Sequence, residues 1–291
     1  MSSLRHNNSG TLPICHFAPP GISRFSAWRA VLDLFERKGL AEQRYGWHAF
    51  GSKRHRNRNV REESSGKEIL RALEMEEVTD PTSTSTSTST EPGGNTTDLV
   101  VERFRGSNPM RIGLQGPYPR IPWQSLRVWS PVVALSVEES CRLIDELAQT
   151  KLCILGIVVD RDYFGSQQAF RKDRLSGRVE DFSITPLHST NPGRQDRIND
   201  GPAMVAADMW MGQAFWTYAP CTKAEVLAQH WLEVRDTEHY LYIKAYPEPF
   251  TRPDGEQGEV QRQLWQLLFH SDSHWPPGEG QPINPTPTEG Q

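Results

Sequence analysis

The stretch Ser136-Val137-Glu138-Glu139-Ser140-Cys141-Arg142-Leu143-Ile144-Asp145-Glu146-Leu147, followed by Leu152-Cys153-Ile154-Leu155-Gly156-Ile157-Val158-Val159, decides the fold class. Ser136 and Glu139 have the spacing of a capping box, in which each side chain meets the other residue's backbone N–H at a helix start. Val137, Cys141, Ile144 and Leu147 then fall on one helical face. The run from Leu152 to Val159 is apolar throughout and rich in β-branched residues, the pattern of a strand buried on both faces. A helix feeding a buried strand needs a layered domain. Strands and helices alternate irregularly elsewhere, so the reading is α+β, one mixed-sheet domain with packed helices, with α/β as the alternative.

Working outward, Thr222 and Glu225 make a second capping box, and the apolar spacing behind it predicts a helix through Val234. His239–Ala245 alternates as a strand, and Val260–Phe269 reads as a closing helix. Ala203–Trp216 is apolar nearly all round and reads as a buried helix. Val179–Ile184 reads as a strand and 185–200 as a polar loop. The turn-rich Gly113–Pro122 reads either as a functional loop or as a rigid entry to the domain. Towards the N-terminus, Phe25, Trp28, Val31, Leu32 and Phe35 recur at helical spacing and Gly39 is placed as a C-cap. Arg44–Phe50 reads as a short strand and Lys67–Glu77 as a helix.

Residues 82–90 alternate Thr and Ser without one apolar side chain, so ordering them returns no burial. The expected organisation is therefore a disordered lead over 1–22 and a basic helical segment over 23–77. A Ser/Thr-rich linker over 78–98, an α+β core over 99–270 and a Pro/Gly-rich tail over 271–291 follow. The net charge of −4 is too small to imply nucleic acid or membrane. Four cysteines (Cys15, Cys141, Cys153, Cys221) with no C-x-x-C, no apolar leader and no long apolar run predict a nuclear or cytoplasmic protein that is neither secreted nor membrane-bound.

Four constellations are candidate sites. Lys53, Arg54, Arg56, Arg58 and Arg61 concentrate cations without an acid between them, and acidic residues follow at once. With Arg44 they are candidate nucleic-acid contacts; the alternatives are a nuclear-import signal or a solvated loop. Ser23–Leu32 with Glu36–Leu40 and Glu42–Gly46 resembles the recognition helix and wing of winged-helix DNA-binding regulators, which implies phosphate contact by the basic run. The segment Asp196-Arg197-Ile198-Asn199-Asp200-Gly201-Pro202-Ala203, on to Asp208, is similar to the acidic hinge of haloacid-dehalogenase-like phosphatases. That resemblance implies Mg²⁺ held by Asp196, Asn199 and Asp200, with Asp160 and Asp162 in the nucleophile region, although Tyr163-Phe164 stand where that family has Gly-Thr. His270-Ser271-Asp272-Ser273-His274 offers alternating metal ligands at the head of the tail, or a solvated tail. Trp210, Phe215, Trp216 and Tyr218 are dense enough to line a pocket or partner surface. No P-loop, G-x-S-x-G, H-E-x-x-H or G-x-G-x-x-G occurs.

The expectation is a soluble intracellular binding or regulatory protein with a protein partner and no cofactor, its basic segment free to meet nucleic acid. The alternative is a Mg²⁺-dependent phosphoryl-transfer enzyme or a degenerate relative.

Overall fold

The computed structural model describes residues 10–19, 21–38, 44–49, 62–79, 99–103, 110–115, 123–129, 135–164, 193, 196–199 and 201–270. It is an α+β fold built on one ten-stranded sheet in which every recorded pairing is antiparallel. In chain order the strands are β1 Thr11–Phe17, β2 Arg44–Ala49, β3 Glu62–Ser65, β4 Leu99–Arg103, β5 Met110–Gln115 and β6 Gln124–Trp129. Then come β7 Cys153–Asp160, the small hairpin β8 Asp196–Ile198 with β9 Gly201–Ala203, β10 Asp208–Gly212, β11 Glu233–Asp236 and β12 Tyr240–Lys244. The sheet runs β11-β12-β10-β7-β1-β6-β5-β4-β2-β3, with β8 and β9 forming a separate pair. The helices are α1 Arg24–Arg37, α2 Gly66–Thr79, α3 Val137–Ala148, α4 Lys223–Leu227 and α5 Gly255–Phe269.

The first strand corrects the expected disordered lead. Residues 11–17 are buried and lie mid-sheet, between β7 and β6. Pro13 is tolerated there for a local reason. The Thr11 N–H points to the Leu135 carbonyl, on the β6 side, so the Pro13 nitrogen, two residues on, faces that side too. Pairing with β6 starts only at Ile14 opposite Arg127, so no ladder bond is lost. Residues 1–9 lie outside the described residues.

The expected partition at the Ser/Thr tract also gives way. β2, before the tract, pairs with β4, after it, and α1, α2 and α3 share one apolar cluster with strands from both sides. Trp28 is fully buried and its Nε1 donates to the Gly66 carbonyl at 2.9 Å, pinning α1 to the start of α2. Lys38 meets Glu139 at 2.8 Å, joining the end of α1 to the start of α3. The tract from 80 to 98 and the tail from 271 lie outside the described residues, as do Val179–Ile184 and most of the predicted loops at 113–122 and 185–200.

Both capping boxes form: Ser136 Oγ accepts from Glu139 N and Thr222 Oγ1 from Glu225 N, with the reciprocal carboxylate bonds present. The helix behind Thr222 stops at Leu227, and Glu233–Asp236 instead pairs with β12, because sheet pairing overrides a weak local preference. Ala203–Trp216 is not a helix. It contains the end of β9, all of β10 and most of a 3-10 turn at Gln213–Thr217. In β10, Trp210 faces the α1–α3 cluster while Met209 and Met211 face the cluster under α5. With both faces buried, the polar alternation that marks a strand disappears.

Candidate recognition face on strands β10, β12 and β11

Where α3, which packs over β1, β7 and β10, reaches side chains of β12 and β11, four elements bring polar and aromatic groups together. Period-two alternation puts Tyr240, Tyr242 and Lys244 of β12 on the α3 side and Leu241 and Ile243 in the opposite core. By register, Trp210 and Arg235 both lie opposite Tyr242, and Asp208 and Glu233 both lie opposite Lys244. On α3 and its C-cap, Cys141, Asp145 and Gln149 recur every four residues and face the same ground.

Asp145 is the hub. Its Oδ1 accepts from Tyr240 OH at 2.7 Å and Trp210 Nε1 at 3.0 Å, and it pairs with the Arg235 guanidinium. That guanidinium lies over Tyr240 and Tyr242, its Cζ 5.7 and 5.1 Å from the ring centroids. Trp210 and Tyr242 pack at 4.9 Å between centroids. Burial first, then the Asp145 carboxylate, push the Tyr240 phenol up to about 12, so it is a permanent donor near neutral pH.

Asp208 is the second acid. Only 1% of it is exposed; its Oδ1 accepts from Tyr242 OH at 2.6 Å while Oδ2 has no hydrogen-bond partner. Burial raises its pKa, against the opposing pull of the Tyr242 hydrogen bond and of Lys244. Burial, then Asp208, likewise raise the Cys141 thiol to about 12, which keeps it protonated near neutral pH. Towards solvent the face presents Glu233 and a half-exposed Arg235, with Tyr242 and Lys244 partly exposed.

Of the aromatic residues named from sequence, Trp210 forms the floor of this face. Phe215 and Tyr218 are buried in the opposite core, Tyr218 OH donating to the Pro202 carbonyl at 2.7 Å, and Trp216 packs partly buried against that core. They line no common surface with Trp210. Asp145, Arg235, Tyr240 and Tyr242 were not singled out in the sequence, since the contacts that unite them span 65 to 95 residues.

Asp160 and Asp162 take structural roles. Asp160 ends β7, and its Oδ1 accepts from Tyr163 N at 2.8 Å, starting the turn that follows. Asp162 pairs with Arg161, its neighbour in sequence. Asp196 opens β8. Asn199 adopts a left-handed conformation (φ 46°) in the β8–β9 hairpin turn, its Nδ2 donating to the Tyr218 carbonyl at 3.0 Å; Asp200 lies outside the described residues. Among the described residues no three His, Cys, Asp or Glu side chains gather as a metal site. His270 caps α5 in a left-handed conformation; 271–274 lie outside the described residues.

The helix that resembles a recognition helix follows a central strand and buries Trp28, Val31, Leu32, Leu34 and Phe35, while the predicted wing strand, β2, belongs to the ten-stranded sheet. This is not a winged-helix arrangement. Arg44 is exposed on β2; Lys53, Arg54, Arg56, Arg58 and Arg61 lie outside the described residues, in the β2–β3 connection. No helix among the described residues is long and apolar enough to cross a membrane.

No protein-family profile matches the chain, and no curated protein does. Among solved structures it is similar to the Pseudomonas aeruginosa T6SS protein PA0821, at 9% identity, over 94% of this chain and 77% of that one, with a TM-score of 0.49. A likeness that slight carries neither fold nor function across.

Proposed function

We propose that the protein is a binding module that recognises a protein partner through the face made by Glu233, Arg235, Tyr242 and Lys244, floored by Trp210 and Tyr240 and braced by Asp145. The observation that carries this reading is the fixed Arg235. Its guanidinium is stacked on two tyrosines and paired with Asp145, yet about half of the side chain is exposed. The few residues that carry most of the binding energy at protein interfaces are enriched in Arg, Tyr and Trp. Holding a long cationic side chain in place before binding removes part of the ordering cost that association otherwise incurs.

Affinity capture with the tagged full-length protein tests this, with quantitative comparison of what each variant retains. Tyr242→Ala and Arg235→Ala should each reduce recovery of a discrete partner by about tenfold or more, while Gln263→Ala, on the exposed side of α5, should leave it unchanged. Equal recovery by all three variants rules this face out.

A further inference from the structure

We propose that Cys15 and Cys153 close into a disulfide under sustained peroxide exposure, and that this bond governs the geometry of the recognition face beside it. The two sulfurs lie 3.7 Å apart, across the neighbouring strands β1 and β7, and both residues are fully buried. They sit diagonally in the pairing, Cys15 opposite Gly156 and Cys153 opposite Phe17, with a register shift between His16 and Phe17. A disulfide needs an S–S distance of about 2.05 Å and closer backbones than a regular diagonal pair offers. The irregularity at His16 and Phe17 is where the strands can give.

The pair lies on the same side of the sheet as the face, on β7 and β1 next to β10. Cys15 and Cys153 share an apolar cluster with Trp210, Tyr240, Leu143, Ile144 and Leu147. Behind Gly212, which lies opposite Tyr240, the Cys153 carbonyl is so close that a Cβ on Gly212 would fall 1.9 Å from it. Drawing Cys153 toward β1 therefore shifts the support under Gly212 and Tyr240, and with Tyr240 the Asp145–Arg235 clamp.

The chemistry balances with hydrogen peroxide as oxidant. One thiol gives up its proton, its thiolate attacks a peroxide oxygen and breaks the O–O bond, and the departing hydroxide takes up that proton as water, leaving a sulfenic acid. The second sulfur attacks the sulfenic sulfur, forms the S–S bond and expels a second water, so two thiols and one peroxide give one disulfide and two waters. Burial, then the neighbouring Cys153, hold the Cys15 thiol well above its ordinary pKa, so closure is slow and registers lasting rather than brief exposure. Burial also excludes bulky thiol reagents and leaves a small neutral peroxide as the competent oxidant. Bond formation stands alone; only its consequence for binding rests on the function proposed above.

The full-length protein is treated with hydrogen peroxide, quenched, denatured in iodoacetamide and mapped by mass spectrometry. Backbone hydrogen exchange at Tyr240–Lys244 is followed in parallel. The expected result is a peptide joining Cys15 to Cys153, with Cys141 and Cys221 still alkylated, and altered exchange over Tyr240–Lys244; both changes vanish in Cys15→Ser. Four alkylated cysteines after peroxide, or a bond through Cys141 or Cys221, overturns the pairing. A Cys15–Cys153 bond with unchanged exchange overturns its control of the face. Should Cys15→Ser fail to fold, the native-protein map and exchange still decide both points.

Discussion

Replacing His16 with leucine should remove a defined part of the protein's acid sensitivity. His16 sits on β1 with 4% of its surface exposed, its ring edge-on to Trp123, and neither ring nitrogen has a hydrogen-bond partner. Burial, then the nearby Arg127 cation, lower its pKa from 6.5 to about 3. A histidine whose folded pKa is depressed favours the folded state fully only above its unfolded pKa. As pH falls below 6.5 the unfolded chain takes up a proton the folded chain refuses, and stability drops until about pH 3, where both states are protonated. At pH 5 the gap is about 1.5 pH units of free protonation, or about 2 kcal/mol at roughly 1.4 kcal/mol per unit; at pH 7 it is close to zero. Asp208 works in the opposite sense. Its raised pKa adds stability at low pH that is lost as pH rises through the folded value, but this contribution is common to both proteins and cancels in the difference. Urea unfolding of wild type and His16→Leu at pH 7 and pH 5 gives the answer. Wild type should lose about 2 kcal/mol more than the variant between the two pH values, whatever the variant's absolute stability. Equal losses would refute the claim that His16 is held neutral in the fold.

Two further outcomes follow from geometry. Asp145→Ala strips the acceptor from the Trp210 indole and the Tyr240 hydroxyl, so chemical denaturation should show a loss of about 2–3 kcal/mol, whereas Asp145→Asn, which keeps an acceptor and forfeits only a half-exposed ion pair, should cost about 1 kcal/mol. Gly212→Ala would place a methyl carbon 1.9 Å from the Cys153 carbonyl oxygen, backbone that cannot rotate away, and should lower the melting temperature by well over 10 °C or prevent folding, a prediction that a thermal melt within a few degrees of wild type would sink.

Much of the local structure was legible because its causes are local. The Ser136 and Thr222 boxes, the apolar face of α1 and the β-branched run of β7 each encode their element within a dozen residues. What escaped was set by distant partners. β1 carries a proline that reads as loop until β7 and the start of the β6 pairing are in place. β10 is apolar on both faces because it lies between β12 and β7 with a core on each side, so its period is hidden. The Ser/Thr tract is a stretch with nothing to bury, but such a stretch need not separate domains: it falls between α2 and β4, and β4 pairs with β2 from before it. Trp210 was visible as an aromatic worth testing; its meaning came from Asp145, 65 residues earlier.

The most direct test of the recognition face is site-specific photo-crosslinking. A benzophenone amino acid is placed at Tyr242, and at Gln263 as control, in full-length protein expressed in its own cells. A covalent adduct with one discrete protein at position 242, absent at 263 and lost when Arg235→Ala is added, is the predicted result. The same adducts at both positions, or none at 242 while 263 captures a partner, would contradict it.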